Sequence, residues 1–283
     1  MTAPSPTSSS PTSTGPTSTG PTSTGAPAGT ARRGPGALRL TALHTRSQLL
    51  ETVRVPIAVI GTVVFPTLTM LFFVVPQPFA GDPVQATGAT AQISLFAVMS
   101  VCLFTYGVGV AEDRALPWDS YLRTLPVGAG PRLAGRLLNG LAFALVSLVP
   151  LVLVAWLLTA AALPLDRLLL AAGALAAAAL PMLGLGLWIG YRMTTKAALA
   201  VAQVLLLPLA FGGGLFLPPQ MFPAWLDAVS TWLPTRAGRD LVVTATTGAD
   251  LPATTWPVLA AWALLTGVLA VRAYRRDEGR RFR

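Results

Sequence analysis

Apolar and polar positions along this chain fall into long blocks. Uncharged, strongly apolar runs occupy 55–75, 91–111, 137–163, 168–190, 197–217 and 256–271, with short charged or proline-rich segments between them. Most reach the roughly 20 residues that carry a helix across a ~30 Å hydrocarbon core. The pattern predicts an all-α integral membrane protein with six transmembrane helices. Pro56 falls in the first turn of the first run, where a missing N–H costs little. Pro66 lies in mid-span and should kink it, which neighbouring helices tolerate in a membrane. The last run, Trp256–Val271, is short.

Three segments break the block pattern. Residues 37–54 put Leu40, Leu43, Ser47 and Leu50 on one helical stripe and Arg39, Arg46 and Arg54 towards the other side, the signature of an amphipathic helix in the headgroup plane. A plain juxtamembrane linker is the bland alternative. Glu112–Arg136 is the largest charged interruption, with Trp118, Tyr121, Leu122 and Leu125 forming an apolar face within it. Pro218–Thr255 is half apolar, proline-rich and too interrupted to span; Ala224–Leu233 within it reads as a short helix carrying two tryptophans. That segment is expected to form an outer re-entrant or interfacial hairpin before the last helix.

Composition agrees with the block pattern. The chain is 53% hydrophobic and 11% charged, against about 25% charged in a soluble domain. The formal charge of +9 would suggest nucleic acid in a soluble protein, but the basic residues cluster at the ends of apolar runs. With both termini cytoplasmic, seventeen of the twenty basic residues fall inside and only Arg167, Arg236 and Arg239 outside. That bias has the sign of the positive-inside rule. A multi-pass protein of the cell (plasma or inner) membrane follows.

The domain organisation is a 1–36 tail, a transmembrane domain over 37–275 and a basic cytoplasmic tail over 276–283. The first tail repeats PTSSS, PTSTG, PTSTG and PTSTG from Pro6 to Gly25. Without apolar residues to offset the entropy of ordering, it should be disordered. No early apolar region is present, so a cleavable signal peptide is not expected.

No Asp, Glu, Lys, Arg or His lies within the six runs. Ion-coupled carriers and voltage sensors usually keep such groups at membrane depth, and intramembrane proteases need a nucleophile with its base or paired carboxylates. Cys102 and His44 stand alone, so the chain cannot build a disulfide framework or a Cys–His metal cluster by itself. Gln92, Asn139 and Gln203 are polar residues in the runs, as fit for helix packing as for a substrate path. The single lysine, Lys196, lies in TTKA, so the phosphate-cradling G-x-x-x-x-G-K-[ST] loop is missing. No catalytic, cofactor-binding or metal site is expected in this chain. If it transports, its energy enters from another polypeptide, and Glu112–Arg136 is the best handle, since aromatic and arginine anchors make binding hot spots. A loop merely anchored by Trp118 at the interface is the alternative.

Three places resemble the membrane-spanning subunit of ABC-2-type exporters, the permease family that includes drug, glycolipid and polysaccharide exporters. They are RVPIAVIGTVVFP (Arg54–Pro66); Glu112, Arg114, Leu122, Thr124 and Pro126 in the loop after span two; and PAWLDAVSTWLPTRAGRDLV (Pro223–Val242). Each motif is short; their order among six spans carries the resemblance. Pro117 departs from it, standing near the family's usual Gly-Thr pair.

The resemblance implies a half-transporter that pairs with itself or a sibling permease and with cytoplasmic ABC ATPase subunits, which hold the ATP and Mg. It implies a coupling helix in the central loop, with Glu112, Arg114, Trp118, Leu122, Arg123 and Pro126 contacting the ATPase. It implies that Pro223, Trp225, Leu226 and Pro234 shape an outer gate. The cargo class it implies is amphiphilic or hydrophobic. A non-transporting membrane scaffold or assembly factor is the alternative, and an integral-membrane enzyme a further one.

Overall fold

The computed structural model describes the backbone of residues 56–116 and 129–280, and side chains over 63–116 and 134–277. The tail over 1–36, the amphipathic segment over 37–54, and Trp118, Leu122, Arg123 and Pro126 lie outside the described residues. Among those described, every regular element is helical: α1 (Pro56–Phe73), α2 (Pro83–Asp113), α3 (Ala129–Val146), α4 (Val149–Leu158), α5 (Leu165–Arg192), α6 (Thr195–Gly212), α7 (Ala224–Ser230), α8 (Pro234–Thr247) and α9 (Thr255–Arg280).

Five of these segments are long and apolar enough to cross a membrane: α2, Ala134–Leu158 through α3 and α4, α5, α6, and Thr255–Asp277 of α9. The apolar part of α1 within the described residues is shorter, Val63–Phe73. Helix α1 runs through Pro66, and the hydroxyls of Thr67 and Thr69 donate to the Val63 and Phe65 carbonyls at 2.7 and 2.9 Å.

Several helix ends depart from the apolar runs, each for a local reason. Helix α2 begins eight residues early because the Asp82 side chain accepts from the Gln85 N–H at 2.8 Å and Pro83 takes the first turn. The run over 137–163 is interrupted between Val146 and Val149, just before Pro150, which has no N–H to give the preceding turn. Helix α6 stops at Gly212, short of Leu217, where Gly214 turns the chain at φ 75°. Helix α9 continues nine residues beyond Val271, because arginines are good helix formers and Ala273, Tyr274 and Asp277 remain buried.

Helix α5 is the axis, with α2, α8 and α9 packed along it. Its small residues make this possible. A Cβ on Gly186 would run into the carbonyl of Cys102, and one on Gly190 would stand 2.7 Å from the carbonyl of Gly107. The facing part of α2, Val101–Val108, is wound as π-helix. The pair Gly186 and Gly190 is therefore a packing device, as its four-residue spacing predicts. Gly184 receives Thr266 of α9, and Gly238 of α8 lies against Ala178 and Leu95. Asn139 of α3 is buried and donates to the Tyr106 hydroxyl at 2.9 Å.

Gly186→Ala should destabilise the bundle by about 2–3 kcal/mol, the upper part of the range for overpacking, because it meets backbone and not a flexible side chain. Gly173→Ala, with nothing within 4 Å of the added Cβ, should stay within about 1 kcal/mol of wild type. Thermal unfolding of the purified protein in lipid nanodiscs checks both.

Candidate functional site

At one end of the bundle, the two strands of chain leading into and out of residues 117–128 are tied together. Asp113, at the end of α2, pairs with Arg136 of α3, which also donates to the Tyr191 hydroxyl of α5 at 3.0 Å. The next residue, Arg114, reaches the other way. Its guanidinium donates to the carbonyls of Gly190 at 2.6 Å and Met193 at 3.3 Å, and pairs with Asp277 of α9.

Two physical effects place Arg114 there. The last carbonyls of α5 have no intrahelical donors and carry the negative end of the helix dipole, so a cation is favoured. Asp277 is only 7% exposed, and a carboxylate so buried needs a charged partner. Beneath the pair, Tyr191 and Tyr274 meet edge to face at 5.0 Å within a small cluster with Val110, Leu187, Ala270 and Ala273. Four helices, α2, α3, α5 and α9, are thereby fastened at the neck of the central loop.

The segment between α6 and α9 packs differently from an ordinary loop. Gly238 lies against Ala178, about 20 Å from either end of α5 at ~1.5 Å per residue. The far end of α8 meets Arg167, which donates to the Thr246 carbonyl at 3.2 Å beside Gly248, at φ 79°. Helix α8 thus starts near the middle of α5 and runs back towards its first turn. Its start meets the end of α6: Thr235 abuts Gly213, and the Ser230 hydroxyl donates to the Gly212 carbonyl at 2.6 Å.

This arrangement carries charge into the middle of the bundle. Arg236 pairs with Asp240 at 3.0 Å and Asp227 at 3.1 Å, and also donates to the Ser230 hydroxyl at 3.2 Å. Arg239 pairs with Asp240 at 2.8 Å. The charges of Arg236, Arg239, Asp227 and Asp240 sum to zero, so the network is internally compensated. The apolar runs themselves hold no charge, yet α8 brings Arg236, Arg239 and Asp240 alongside them, with Asp227 reaching in from α7.

Of the residues singled out for the loop, Glu112 is exposed and Arg114 half-buried; the other four lie outside the described residues. Of those in the hairpin, Pro223 precedes α7 and is exposed, Trp225 is 69% exposed and Leu226 half-buried, while Pro234 is buried at the first position of α8. These four residues therefore divide between exposed or half-buried positions around α7 and a buried packing position at the start of α8. Trp232, 72% exposed, uses its carbonyl to accept the Trp262 indole N–H of α9 at 2.8 Å.

Sequence reasoning missed Asp113, Arg136, Tyr191 and Asp277 as a set. The available signal was Asp277 itself, an acid at helical spacing from Ala270, Ala273 and Tyr274 in a tail otherwise dominated by arginine. Among the described residues, no group of three or more His, Cys, Asp and Glu is placed to hold a metal ion.

Arg114→Ala should cost about 3 kcal/mol, the low end for losing one partner of a buried ion pair. Replacing Arg114 and Asp277 together by leucine should recover at least half of that loss. Thermal unfolding of the three proteins checks the pair; an Arg114→Ala protein that melts with wild type would show that the clasp adds no stability.

A family model described as ABC-2 type transporter matches residues 39–246. The Bacillus subtilis (strain 168) protein described as "Putative transport permease YvfS" is 24% identical over 142 residues, which cover 50% of this chain and 58% of that protein. The chain thus spans less than two thirds of the length of this relative. The family match runs from ahead of α1 into the last turn of α8, so it takes in α5, α7, most of α8, and Asp113, Arg114, Arg136 and Tyr191 of the neck, but not Asp277. On that match the chain belongs to the ABC-2 type transporter family, and its apolar helices are those of a multi-pass membrane protein.

Proposed function

We propose that this chain is the permease subunit of an ATP-driven ABC exporter, powered by a separate cytoplasmic ATPase that binds ATP and Mg. The ATPase grips the loop over 112–136 through Glu112, Arg114, Trp118, Leu122, Arg123 and Pro126. With α1 as the first of six spans, both termini and this loop lie on the cytoplasmic side of the cell membrane. A second permease copy, identical or a sibling, completes the transporter. The cargo is amphiphilic or hydrophobic and leaves from the cytoplasm or inner leaflet.

One observation carries the proposal: the neck is tied to four helices at once. Asp113–Arg136 closes the base of the loop, and Arg114 links that base to the ends of α5 and α9. A displacement applied to the loop is thereby delivered to the bundle and not absorbed as loop bending. At the opposite end, α7 and α8 form the re-entrant hairpin that closes the exit. Pro223, Trp225 and Leu226 make its outer face, and Pro234 starts its inner helix. Compensated charges at the start of α8 let this hairpin sit at depth without an uncompensated ion.

Trp118→Ala and Leu122→Asp should each abolish most ATPase-dependent export while leaving insertion intact, because truncating an interface anchor typically costs about 2–4 kcal/mol of binding. The measurement is co-purification of the ATPase with each variant, alongside transport by the reconstituted complex. Normal recovery of the ATPase together with normal export would overturn the docking assignment.

A further inference from the structure

A cleft of about 820 Å³ opens between α1, the first half of α2, the end of α6, residues 215–218 and α8. Its walls are chemically unequal. Aromatic rings from Phe65, Phe73, Phe79, Phe211 and Phe216 line it, and no ionisable side chain does. Against them stand three primary amides, Gln77, Gln85 and Gln92. Gln85 and Gln92 are seven residues apart on α2, two helical turns or about 10 Å on one face, with Gly88 between them leaving the wall low.

The cleft's hydroxyls are already committed. Thr69 donates to the Phe65 carbonyl at 2.9 Å and Thr247 to the Val243 carbonyl at 2.7 Å. Among the described residues, the side-chain amides of Gln77, Gln85 and Gln92 make no hydrogen bond; Gln85 takes part only through its backbone N–H, which caps onto Asp82. Gln77 and Gln85 are exposed at the mouth of the cleft and Gln92 is half-buried within it, so a polar head resting there exchanges water for amide partners while its tail lies against the rings. A primary amide both donates and accepts, which suits hydroxyl and ether oxygens equally. A formally charged head would find no counter-charge on the wall.

We infer, on the permease reading above, that this cleft binds an uncharged amphiphile, with a hydroxyl- or ether-bearing head on Gln77, Gln85 and Gln92 and an apolar tail against the phenylalanines. The rings give the tail its contact area, and the glutamines set the selectivity. A pocket that hydrogen-bonds its ligand rejects analogues lacking those groups far more strongly than one that only packs a tail. The amide wall therefore selects among amphiphiles of equal hydrophobicity.

The test uses the full chain in phosphatidylcholine nanodiscs, without ATPase, and three photoreactive probes that share one diazirine-bearing alkyl tail. Their heads are a glucoside, a quaternary ammonium and a sulfate. The glucoside should label peptides of α2 and α6 saturably and about tenfold or more above either charged probe. Gln85→Leu with Gln92→Leu should remove that preference without altering labelling by the charged probes. Gln92→Glu should shift preference towards the quaternary ammonium, a gain that a merely misfolded protein would not give. Equal labelling by all three heads, labelling spread over every lipid-facing helix, or an unchanged preference in the double leucine variant would overturn the site. Saturable glucoside binding by a protein whose ATPase-loaded complex exports nothing would instead leave the site standing and sink the exporter assignment.

Discussion

Helices α2 and α5 approach so closely at Cys102, Gly107, Gly186 and Gly190 that a single methyl group on either Gly186 or Gly190 would collide with backbone. Inside lipid, apolar side chains gain little by leaving one apolar surroundings for another, so association depends on close packing and on hydrogen bonds. Glycine supplies the closest packing available. The π-helical stretch of α2 lies at this same contact. Helices α8 and α9 then join α5 through small residues of their own, Gly238 against Ala178 and Thr266 against Gly184.

Charge is handled by the same logic of compensation. At the loop neck, Arg114 satisfies the end of α5 and the buried carboxylate of Asp277 together. In the hairpin, Arg236 joins two aspartates, and Arg239 shares one of them. Arg167 covers the last turn of α8. Each arginine lies where a helix end or a carboxylate offsets its desolvation, which is what permits ionised groups so close to apolar helices.

Helix α2 connects the regions of functional interest. Its first turns carry Gln85 and Gln92 into the cleft, its middle is locked against α5, and its last residue, Asp113, closes the loop neck. On the proposed function, one helix of about 46 Å joins the place where an ATPase grips to the place where an uncharged amphiphile sits. The π-helical turns fall between the two, and such turns often mark functional positions in helices. Neck, lock and cleft therefore form one continuous element.

The pattern of apolar blocks was enough to give the helical class and the positions of most apolar helices, because runs of uncharged apolar residues have few structures open to them in lipid. The spacing of Gly186 and Gly190 was legible as close packing for the same reason. Helix ends were less legible: the Asp82–Pro83 cap, the break before Pro150 and the continuation of α9 through its arginines are set by local hydrogen bonding, which a hydropathy pattern does not see. Tertiary structure alone decided which charges meet. Arg114 and Asp277 are 163 residues apart, and Arg236, counted from sequence as an outer-loop residue, sits beside the middle of α5 because α8 folds back along it. Pairing across such distances is fixed by how helices stack, and no periodicity within one helix encodes its neighbour.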